Sequence, residues 1–306
     1  MSDSYMEDAF SARLRAAAMD WLRLRCTDED PVVRRGELLG FHFEGERIPL
    51  VDPNRGIRKP KYMTAALSIL TTYTAPGKRP PYDDKPGSDG LLRYKYRGRD
   101  DKQADNVALR VAHERKLPLI WFYGVAPGLY LPRFPAWLIA EEKDQFQFAV
   151  ALDEAQLSIP VGSQASVAQR RYAERLTRQR LHQPVFRAQV LRAYEGSCAI
   201  CNLRHASLLD AAHIMRDSHP EGIPAVSNGL ALCKIHHAAY DKNFLGIRPD
   251  YTVEIREDLL DEEDGPMLRH GLQEMDGIAL KIPKLRQDRP SIAAIMSRYE
   301  EFKKSA

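Results

Sequence analysis

Cysteine is scarce in this sequence, and long apolar runs are missing. Its 306 residues contain only four cysteines, too few for the disulfide framework of a small exported domain. The most apolar stretch, from Leu117 to Ile139, is broken by repeated proline and glycine, so it cannot form a membrane-spanning helix. The segment up to Met19 has no unbroken apolar core. We therefore expect no secretory signal, no membrane partner and a cytoplasmic location.

A strong excess of either charge sign is also missing. The formal net charge is +3, which permits binding to nucleic acid without requiring it. Hydrophobic residues make up 44% and charged residues 28% of the chain, a balance that is typical of folded soluble proteins and excludes general disorder. At this length two domains are expected. Several arginines are concentrated in one segment with few acids: Arg170, Arg171, Arg175, Arg178, Arg180, Arg187 and Arg192.

The spacing of apolar residues predicts a mixture of helices and strands, and therefore an α+β fold. Helices are predicted over residues 5–25, 106–115, 167–180, 184–194 and 292–303. Strands are predicted around residues 39–43, 48–50, 92–96, 119–124 and 146–152. In the strand at 92–96, apolar residues alternate with Arg93 and Lys95, which predicts a half-exposed strand with a basic outer face. Residues 75–90 are rich in proline and glycine and are predicted to form a loop.

A polar segment divides the predicted elements into two groups. Residues 153–166 include Pro160 and Gly162 and have few apolar side chains, as expected for a linker. We therefore predict an N-terminal domain over residues 1–155, a linker over 156–166 and a C-terminal domain over 167–306.

Three of the four cysteines have the spacing of metal ligands. Cys198 and Cys201 form a C-x₂-C pair, and Cys233 and His236 form a later C-x₂-H pair. Two such pairs can supply the four corners of a tetrahedral Zn²⁺ site, whereas the alternative is small buried cysteines at accidental spacing. A structural zinc would stabilise a loop-rich segment that is too small to fold well alone. Cys26 follows an amphipathic run and is interpreted as an ordinary buried thiol.

A histidine, an asparagine and a second histidine lie in register with the two Cys/His pairs. His213 ends a short apolar strand, and Asn228 and His237 follow it. From about Phe186 to Gly246 the chain resembles the HNH endonuclease family. The resemblance implies a ββα-metal fold with a structural zinc. It also implies that His213 is the general base, that Asn228 braces the hairpin, and that His237 binds a catalytic divalent ion, Mg²⁺ or Mn²⁺.

Elementary chemistry agrees with these roles. Hydrolysis of a phosphodiester needs a water that is deprotonated near neutral pH, which imidazole can do, and a hard cation that accepts charge from the phosphate. Asp241 follows His237 by one helical turn, so we predict it as a second metal ligand. Many family members have Asp or His directly before the base, but this chain has Ala212. Asp210 lies on the same strand face, and it either binds the metal or supports the fold.

The arginine-rich segment has two interpretations. Arg170, Arg171, Arg175 and Arg178 either contact the phosphates of double-stranded DNA or form a solvated helix face.

The N-terminal half contains a second resemblance. The run from Tyr94 to Asp100, followed by Asn106 to Leu109, resembles SRA domains and, more loosely, PUA-like barrels. This resemblance implies a mixed SRA/PUA-like β-barrel domain that reads modified DNA by flipping a base into an aromatic pocket. The candidate pocket residues, which are alternatively core residues, are Tyr73, Tyr82, Asp84, Asp89, Tyr94 and Tyr96.

Together these features predict a metal-dependent DNA endonuclease, specifically a restriction enzyme that depends on DNA modification. One alternative is an HNH nuclease with another trigger, such as a toxin-like effector or a repair nickase. Another is a zinc module that binds DNA without cutting it, although the complete set of His213, Asn228, His237 and Asp241 argues against that. A single HNH site cuts one strand, so a double-strand break requires a homodimer or two successive nicks.

Overall fold

The computed structural model of the protein describes residues 3–27, 31–75, 86–216, 219, 222–263 and 265–305. Tyr82 and Asp84 of the predicted base pocket lie outside these residues. The chain divides into two compact units, Met1–Val185 and Phe186–Ala306. Among the described residues, none of the helices has the length and apolar character needed to cross a membrane.

A curled, half-barrel sheet forms the centre of the first unit. The strands of this unit are β1 (Val33–Arg34), β2 (His42–Phe43), β3 (Glu46–Arg47), β4 (Ile57–Arg58), β5 (Ser68–Thr71), β6 (Leu92–Lys95), β7 (Leu119–Ala126), β8 (Leu129–Glu142) and β9 (Gln147–Ala151). The sheet order is β4-β5-β7-β8-β9-β6, with β1 also paired to β8, while β2 and β3 form a separate hairpin. The pair β5–β7 is parallel, and the other pairs are antiparallel.

Helices cover both faces of this sheet. The helices of the first unit are α1 (Asp3–Arg25), α2 (Arg35–Leu39), α3 (Ala104–Glu114) and α4 (Val167–Thr177). Leu14 and Leu22 of α1 lie at helical spacing and pack into one core with Phe122 of β7. Leu109 of α3 packs into another core with Trp121 of β7. Because successive side chains of a strand point to opposite faces, β7 is buried on both sides, which explains its continuous apolar sequence.

The Asn106 side chain fixes the start of α3. Its Oδ1 accepts the backbone N–H of Arg97, and its Nδ2 donates to the carbonyls of Arg97 and Asp100. Asn106 is fully buried, so these bonds satisfy polar atoms that water cannot reach. The segment that suggested a resemblance to SRA domains is therefore held together by this asparagine.

Two sequence-based expectations in this unit are wrong. Arg93 does not lie on an exposed basic face, because its guanidinium is buried between the carboxylates of Asp89 and Glu142, at 2.7 Å and 2.8 Å. Leu39 was expected in a strand but ends the short helix α2. Its neighbours are paired as β2 and β3, whose turn contains Glu44 and Gly45, both at positive φ.

The segment predicted as a linker packs against the first unit. Gln156 is fully buried, and its amide donates to the carbonyl of Ala173 and to Oγ1 of Thr177. The backbone N–H of Gly162 donates to Asp89 at 2.6 Å. The division between the compact units therefore falls later than 156–166, within the arginine-rich helical segment at Val185.

The second unit contains two hairpins and a set of helices. After α4 a π-helical turn covers Arg178–His182, and α5 (Gln183–Ala193) follows. The strands are β10 (Leu209–His213), β11 (Gly229–Cys233), β12 (Leu245–Ile247) and β13 (Val253–Ile255). The remaining helices are α6 (Lys234–Asp241), α7 (Glu257–Leu260), α8 (Pro266–Gly271) and α9 (Ile292–Ser305). Phe186 and Val190 of α5 share one core with Leu209, Leu230 and Tyr240.

Candidate active site and metal centre

The site is built on one hairpin and the helix that follows it. Strands β10 and β11 are antiparallel, with Leu209 opposite Cys233 and His213 opposite Gly229. Helix α6 begins directly after β11, at Lys234. Chain order and strand pairing thus give a ββα unit in which the Cys233 end and the His213 end of the hairpin are separated by its full length.

The four predicted zinc ligands lie together. Potential ligand atoms of Cys198, Cys201, Cys233 and His236 are all within 4.8 Å of one another, and among the described residues this is the one group of three or more His, Cys, Asp or Glu side chains gathered in that way. Nδ1 of His236 lies 3.4 Å from Sγ of Cys198 and 3.2 Å from Sγ of Cys233. These residues form a Cys₃His metal-binding group.

A backbone carbonyl fixes the orientation of the His236 ring. Nε2 of His236 donates to the carbonyl oxygen of Gly271 at 2.8 Å. This bond places the proton on Nε2 and leaves the Nδ1 lone pair directed towards the thiols. A histidine that binds a metal is commonly oriented by such a hydrogen bond from its other nitrogen.

The thiols of the group share their protons unequally. A hydrogen bond from the Cys233 thiol lowers the pKa of Cys198 to about 3, against the effect of burial. The same hydrogen bond, together with burial, raises the pKa of Cys233. Burial likewise raises the pKa of Cys201. Because a metal binds thiolates, metal binding at this group must release protons from the thiols.

Asn228 connects the two ends of the loop between β10 and β11. Its Oδ1 accepts the backbone N–H of Met215 at 2.8 Å, and its Nδ2 donates to the carbonyls of Met215 and Ile223, both at 3.0 Å. Asn228 is buried, and the backbone N–H of Ile214 also donates to its carbonyl. These bonds connect Asn228 to the chain that immediately follows His213.

The imidazole of His213 lies against an aromatic ring. Its centroid is 4.1 Å from that of Phe186, and the two planes differ by 16°. Phe186 is nearly completely buried and comes from α5.

Helix α6 places His237 between two carboxylates. Nδ1 of His237 lies 3.2 Å from Oδ2 of Asp210, and Nε2 lies 3.3 Å from Oδ2 of Asp241. Lys234, one turn before His237, contacts both oxygens of Asp210 at 2.6 Å and 2.7 Å. Burial opposes ionisation of Asp210, but the hydrogen bonds from Lys234 and His237 outweigh it, so the pKa of Asp210 lies below its ordinary value.

Most described members of the predicted base pocket have internal partners. Tyr94 and Tyr96 are buried, and their hydroxyls donate to the carbonyl of Gly56 and to Glu141, respectively. Asp89 is fully buried against Arg93. Tyr73 is half-buried in the segment after β5.

Three of the four predicted DNA-binding arginines are exposed. These are Arg171 and Arg175 of α4 and Arg178 of the π-helical turn, whereas Arg170 is half-buried. The Arg175 guanidinium lies over the ring of Tyr172, 5.2 Å from its centroid.

Two residues of the site were not predicted from the sequence. Lys234 could have been found, because a residue three positions before His237 on a helix shares its face. Phe186 gave no such signal, since its contact with His213 depends on how α5 packs against the hairpin.

Comparison with known proteins places the site in a family. Residues 198–248 match the HNH endonuclease family, and no curated protein matches the chain. One similar solved structure is the modification-dependent TagI restriction endonuclease, with 16% identity, coverage of 81% of this chain and 85% of that chain, and a TM-score of 0.29. Another is the type IV phosphorothioation-dependent restriction endonuclease ScoMcrA, with 14% identity, coverage of 60% and 54%, and a TM-score of 0.22.

The segment that matches the family contains the whole predicted site of the second unit. The matched segment includes His213, Asn228 and His237 as well as the whole Cys₃His group. Residues 198–248, which contain the whole predicted site, are therefore similar to HNH endonuclease domains.

Proposed function

We propose that this chain is a metal-dependent DNA endonuclease whose His213 activates the attacking water. The observation that carries the proposal is the ββα unit itself, which puts His213 at the end of β10, Asn228 on the adjoining loop and His237 on α6. In this arrangement the neutral imidazole of His213 removes a proton from water and directs it at the scissile phosphate. Asn228 maintains the backbone on both sides of the loop, so that the position of His213 is retained.

The donor atoms around His237 suit a hard divalent ion. Imidazole nitrogen and carboxylate oxygen are common ligands of such ions in nucleases, where the bound ion takes up negative charge from the phosphate and the leaving oxygen. However, Asp210 faces Nδ1 and Asp241 faces Nε2, on different sides of one ring. A single ion held by His237 can therefore share only one of these carboxylates.

We assign Asp241 as the ligand and Asp210 as a positioning residue. Asp210 is already neutralised by Lys234, and a cation placed beside it would be repelled by the ammonium group. Asp241 is 61% exposed and has no such cation among its described contacts. The Asp210 carboxylate accepts the Nδ1 proton of His237, which leaves the Nε2 lone pair available on the side of Asp241.

The Cys₃His group has the dimensions of a structural zinc site. Tetrahedral bonds of about 2.3 Å to sulfur and about 2.0 Å to nitrogen give ligand-to-ligand edges of roughly 3.5–3.8 Å. The measured edges are 3.2 Å and 3.4 Å to His236 and 4.0 Å between Cys201 and Cys233. Its four ligands leave no open position, so this zinc would stabilise the fold and take no part in hydrolysis.

We propose further that the first unit reads a modification on DNA. Support comes from its resemblance to SRA and PUA-like domains in the segment built around Asn106, and from its curled sheet. Tyr73, which is half-buried, and the exposed arginines Arg171 and Arg175 are the described residues that we assign to base and phosphate contacts.

A plasmid cleavage assay tests the proposal. Unmodified DNA is compared with cytosine-methylated, hydroxymethylated and phosphorothioated DNA, with Mg²⁺ or Mn²⁺, for the wild type and for His213→Ala. The matched control is His205→Ala, because His205 is an exposed histidine of the same unit.

Each outcome selects one function. Cleavage of one modified substrate that His213→Ala abolishes and His205→Ala retains supports both the nuclease and the reader. Equal cleavage of all substrates would support the nuclease activity and contradict the proposal that the first unit reads a modification. Binding to DNA without cleavage in the presence of either metal would support the alternative of a zinc module that only binds DNA.

A further inference from the structure

We infer that Phe186, outside the family-matched segment 198–248, is the positioning residue that holds the imidazole of His213 in its reactive orientation. The inference rests on the proposed role of His213 as general base. It extends the active site to α5, a helix that lies before the HNH domain in the chain.

The first observation is the geometry of the ring pair. A centroid separation of 4.1 Å and an angle of 16° mean that one whole face of the imidazole is covered by the phenyl ring. Rotation of a histidine ring about its last side-chain bond is otherwise broad. With Phe186 on one face, the ring can turn only by breaking this stacking interaction, so the direction of its nitrogens is restricted.

The second observation is the absence of a side chain at Gly229, the residue paired with His213 across the hairpin. A Cβ atom at this position would lie 2.9 Å from Cζ of Phe186 and 2.4 Å from Cγ2 of Val190. Real Cβ atoms are not found so close to other heavy atoms. Glycine is therefore needed here so that α5 can approach the hairpin closely enough for Phe186 to reach His213.

The third observation is the attachment of α5 to the same strand. Nη2 of Arg187, the residue after Phe186, donates to the carbonyls of Ala206 at 2.7 Å and Leu209 at 3.1 Å. Leu209 begins β10 and His213 ends it. Helix α5 is thus fixed at the start of β10 by Arg187 and contacts its end through Phe186.

Rigid placement of a base has a direct kinetic consequence. General-base catalysis contributes about 10²–10⁴-fold to rate, and small misplacements of a reacting group can cost about 10²-fold. If Phe186 positions His213, its loss should lower kcat and leave KM nearly unchanged, because Phe186 is buried and offers almost no surface to a bound substrate.

The experiment compares two matched pairs of variants in the full-length protein. Phe186→Leu removes the planar ring but keeps an apolar side chain, and Val190→Ala is its control in the same helix and core. Gly229→Ala forces Val190 and Phe186, which lie on the same helix, away from the hairpin. Its control is Gly246→Ala, whose Cβ would lie 2.5 Å from the Phe302 ring. The cleavage kinetics of all variants are measured below their melting temperatures, with the metal ion and the substrate that the wild type uses.

We expect kcat to fall about 10–100-fold in Phe186→Leu and in Gly229→Ala, with KM within about threefold of the wild type. The kcat of the double variant Phe186→Leu/Gly229→Ala should be little lower than that of either single variant, because both substitutions act through the ring of Phe186. Both control variants should retain wild-type kcat while they are folded, even where their melting temperatures fall.

Chemical rescue separates positioning from a purely structural role. Added imidazole should restore part of the activity of His213→Ala, since the space facing Phe186 can accept a free imidazole ring. The double variant His213→Ala/Phe186→Leu should regain less than about a tenth of that activity. Equal rescue in both backgrounds, or wild-type kcat in Phe186→Leu, would overturn the inference. Full activity of His213→Ala without imidazole would instead overturn the proposed function.

Discussion

Asp210 and His237 are joined by a contact of 3.2 Å between a carboxylate oxygen and the Nδ1 atom of the imidazole. This relationship uses one nitrogen of His237 and leaves the other to face Asp241. The sequence predicted Asp241 as a metal ligand and left Asp210 open between metal binding and support of the fold, and the ring geometry puts the two carboxylates on different sides of His237. Lys234, which is hydrogen-bonded to Asp210, makes the two sides of the ring electrostatically different.

The first prediction concerns these two carboxylates. Asp241→Asn should weaken Mn²⁺ binding by more than about tenfold, because it replaces a charged ligand by a neutral amide. Asp210→Asn should weaken it less, since the amide oxygen can still accept the Nδ1 proton of His237. Mn²⁺ binding is followed by electron paramagnetic resonance, which needs no turnover. A larger loss in Asp210→Asn than in Asp241→Asn would exchange the two assignments.

The success of sequence interpretation in this site follows from the local nature of metal sites. Cys198 and Cys201, and likewise Cys233 and His236, lie within a few residues of each other, so their spacing alone restricts where their side chains can meet. Asn228 and His213 were proposed in the same way, through their register with these pairs, and their roles stay predictions. The Phe186–His213 stack joins residues whose contact depends on tertiary packing, and no sequence spacing encodes it.

In the first unit, contacts between distant parts of the chain defeated prediction from the sequence. Strand β8 was not predicted, because Pro132 and Pro135 interrupt its apolar pattern and proline is usually excluded from central strands. The structure nevertheless pairs β8 with β7 on one side and β9 on the other. Arg93 was misassigned for a similar reason. The alternation of apolar and basic residues predicted that Arg93 lies on the exposed face of its strand. Its partner Glu142, however, lies far along the chain in β8.

The second prediction concerns the Cys₃His group. Removal of the metal by a strong chelator should unfold the second unit and leave the first unit folded, since metal binding at such sites contributes about 10 kcal/mol or more to folding. Thermal melts before and after chelation, with metal content measured by mass spectrometry, test this. Cys201→Ser should mimic the chelator, and Cys26→Ser is the control because Cys26 lies in the first unit. Equal melting of both cysteine variants would argue against a structural metal.

The third prediction concerns the buried pair of Asp89 and Arg93. Burial opposes ionisation of Asp89, but hydrogen bonds from Arg93 and from the backbone of Gly162 and Leu91 outweigh it and hold its pKa below the ordinary value. The ionised carboxylate therefore adds stability above the unfolded-state pKa of about 3.9, and this is lost as pH falls through the folded-state pKa.

Asp89→Asn should accordingly destabilise the first unit by about 3 kcal/mol near neutral pH, because Arg93 loses a buried partner. The difference from the wild type should shrink as the pH falls below about 4. Urea unfolding across this pH range measures it. Asp144→Asn, at an exposed carboxylate of the same unit, should change little. A difference that stays constant with pH would mean that the charge of Asp89 is unimportant.

The fourth prediction concerns the arginines of α4. If Arg171 and Arg175 bind DNA phosphates, replacing both by alanine should reduce the slope of log binding constant against log salt by about 0.9 for each phosphate that is no longer neutralised. Cleavage at saturating DNA should be nearly unchanged. Arg13→Ala is the control, since Arg13 is exposed but pairs with Glu44. An unchanged slope in the double variant would favour a solvated helix face.

The fifth prediction concerns Asn228, whose amide both donates and accepts hydrogen bonds in a buried place. Asn228→Asp keeps the shape but replaces the donating group by an acceptor. Its carboxylate would then face the carbonyl of Met215, which loses the donor that Asn228 supplies, and would lie against the carbonyl of Ile223 without donating to it. Each unsatisfied buried group costs about 1–3 kcal/mol, so the second unit should lose stability and His213 should lose its support.

We expect Asn228→Asp to lower kcat about 10²-fold at temperatures where it remains folded, because the backbone that follows His213 is no longer fixed. Asn54→Asp makes the same chemical change at an exposed site of the first unit and should leave both stability and cleavage unchanged. Melting temperature and single-turnover cleavage are measured on the same samples. A variant that melts earlier but cleaves at the wild-type rate would restrict Asn228 to folding and leave the orientation of His213 to Phe186 alone.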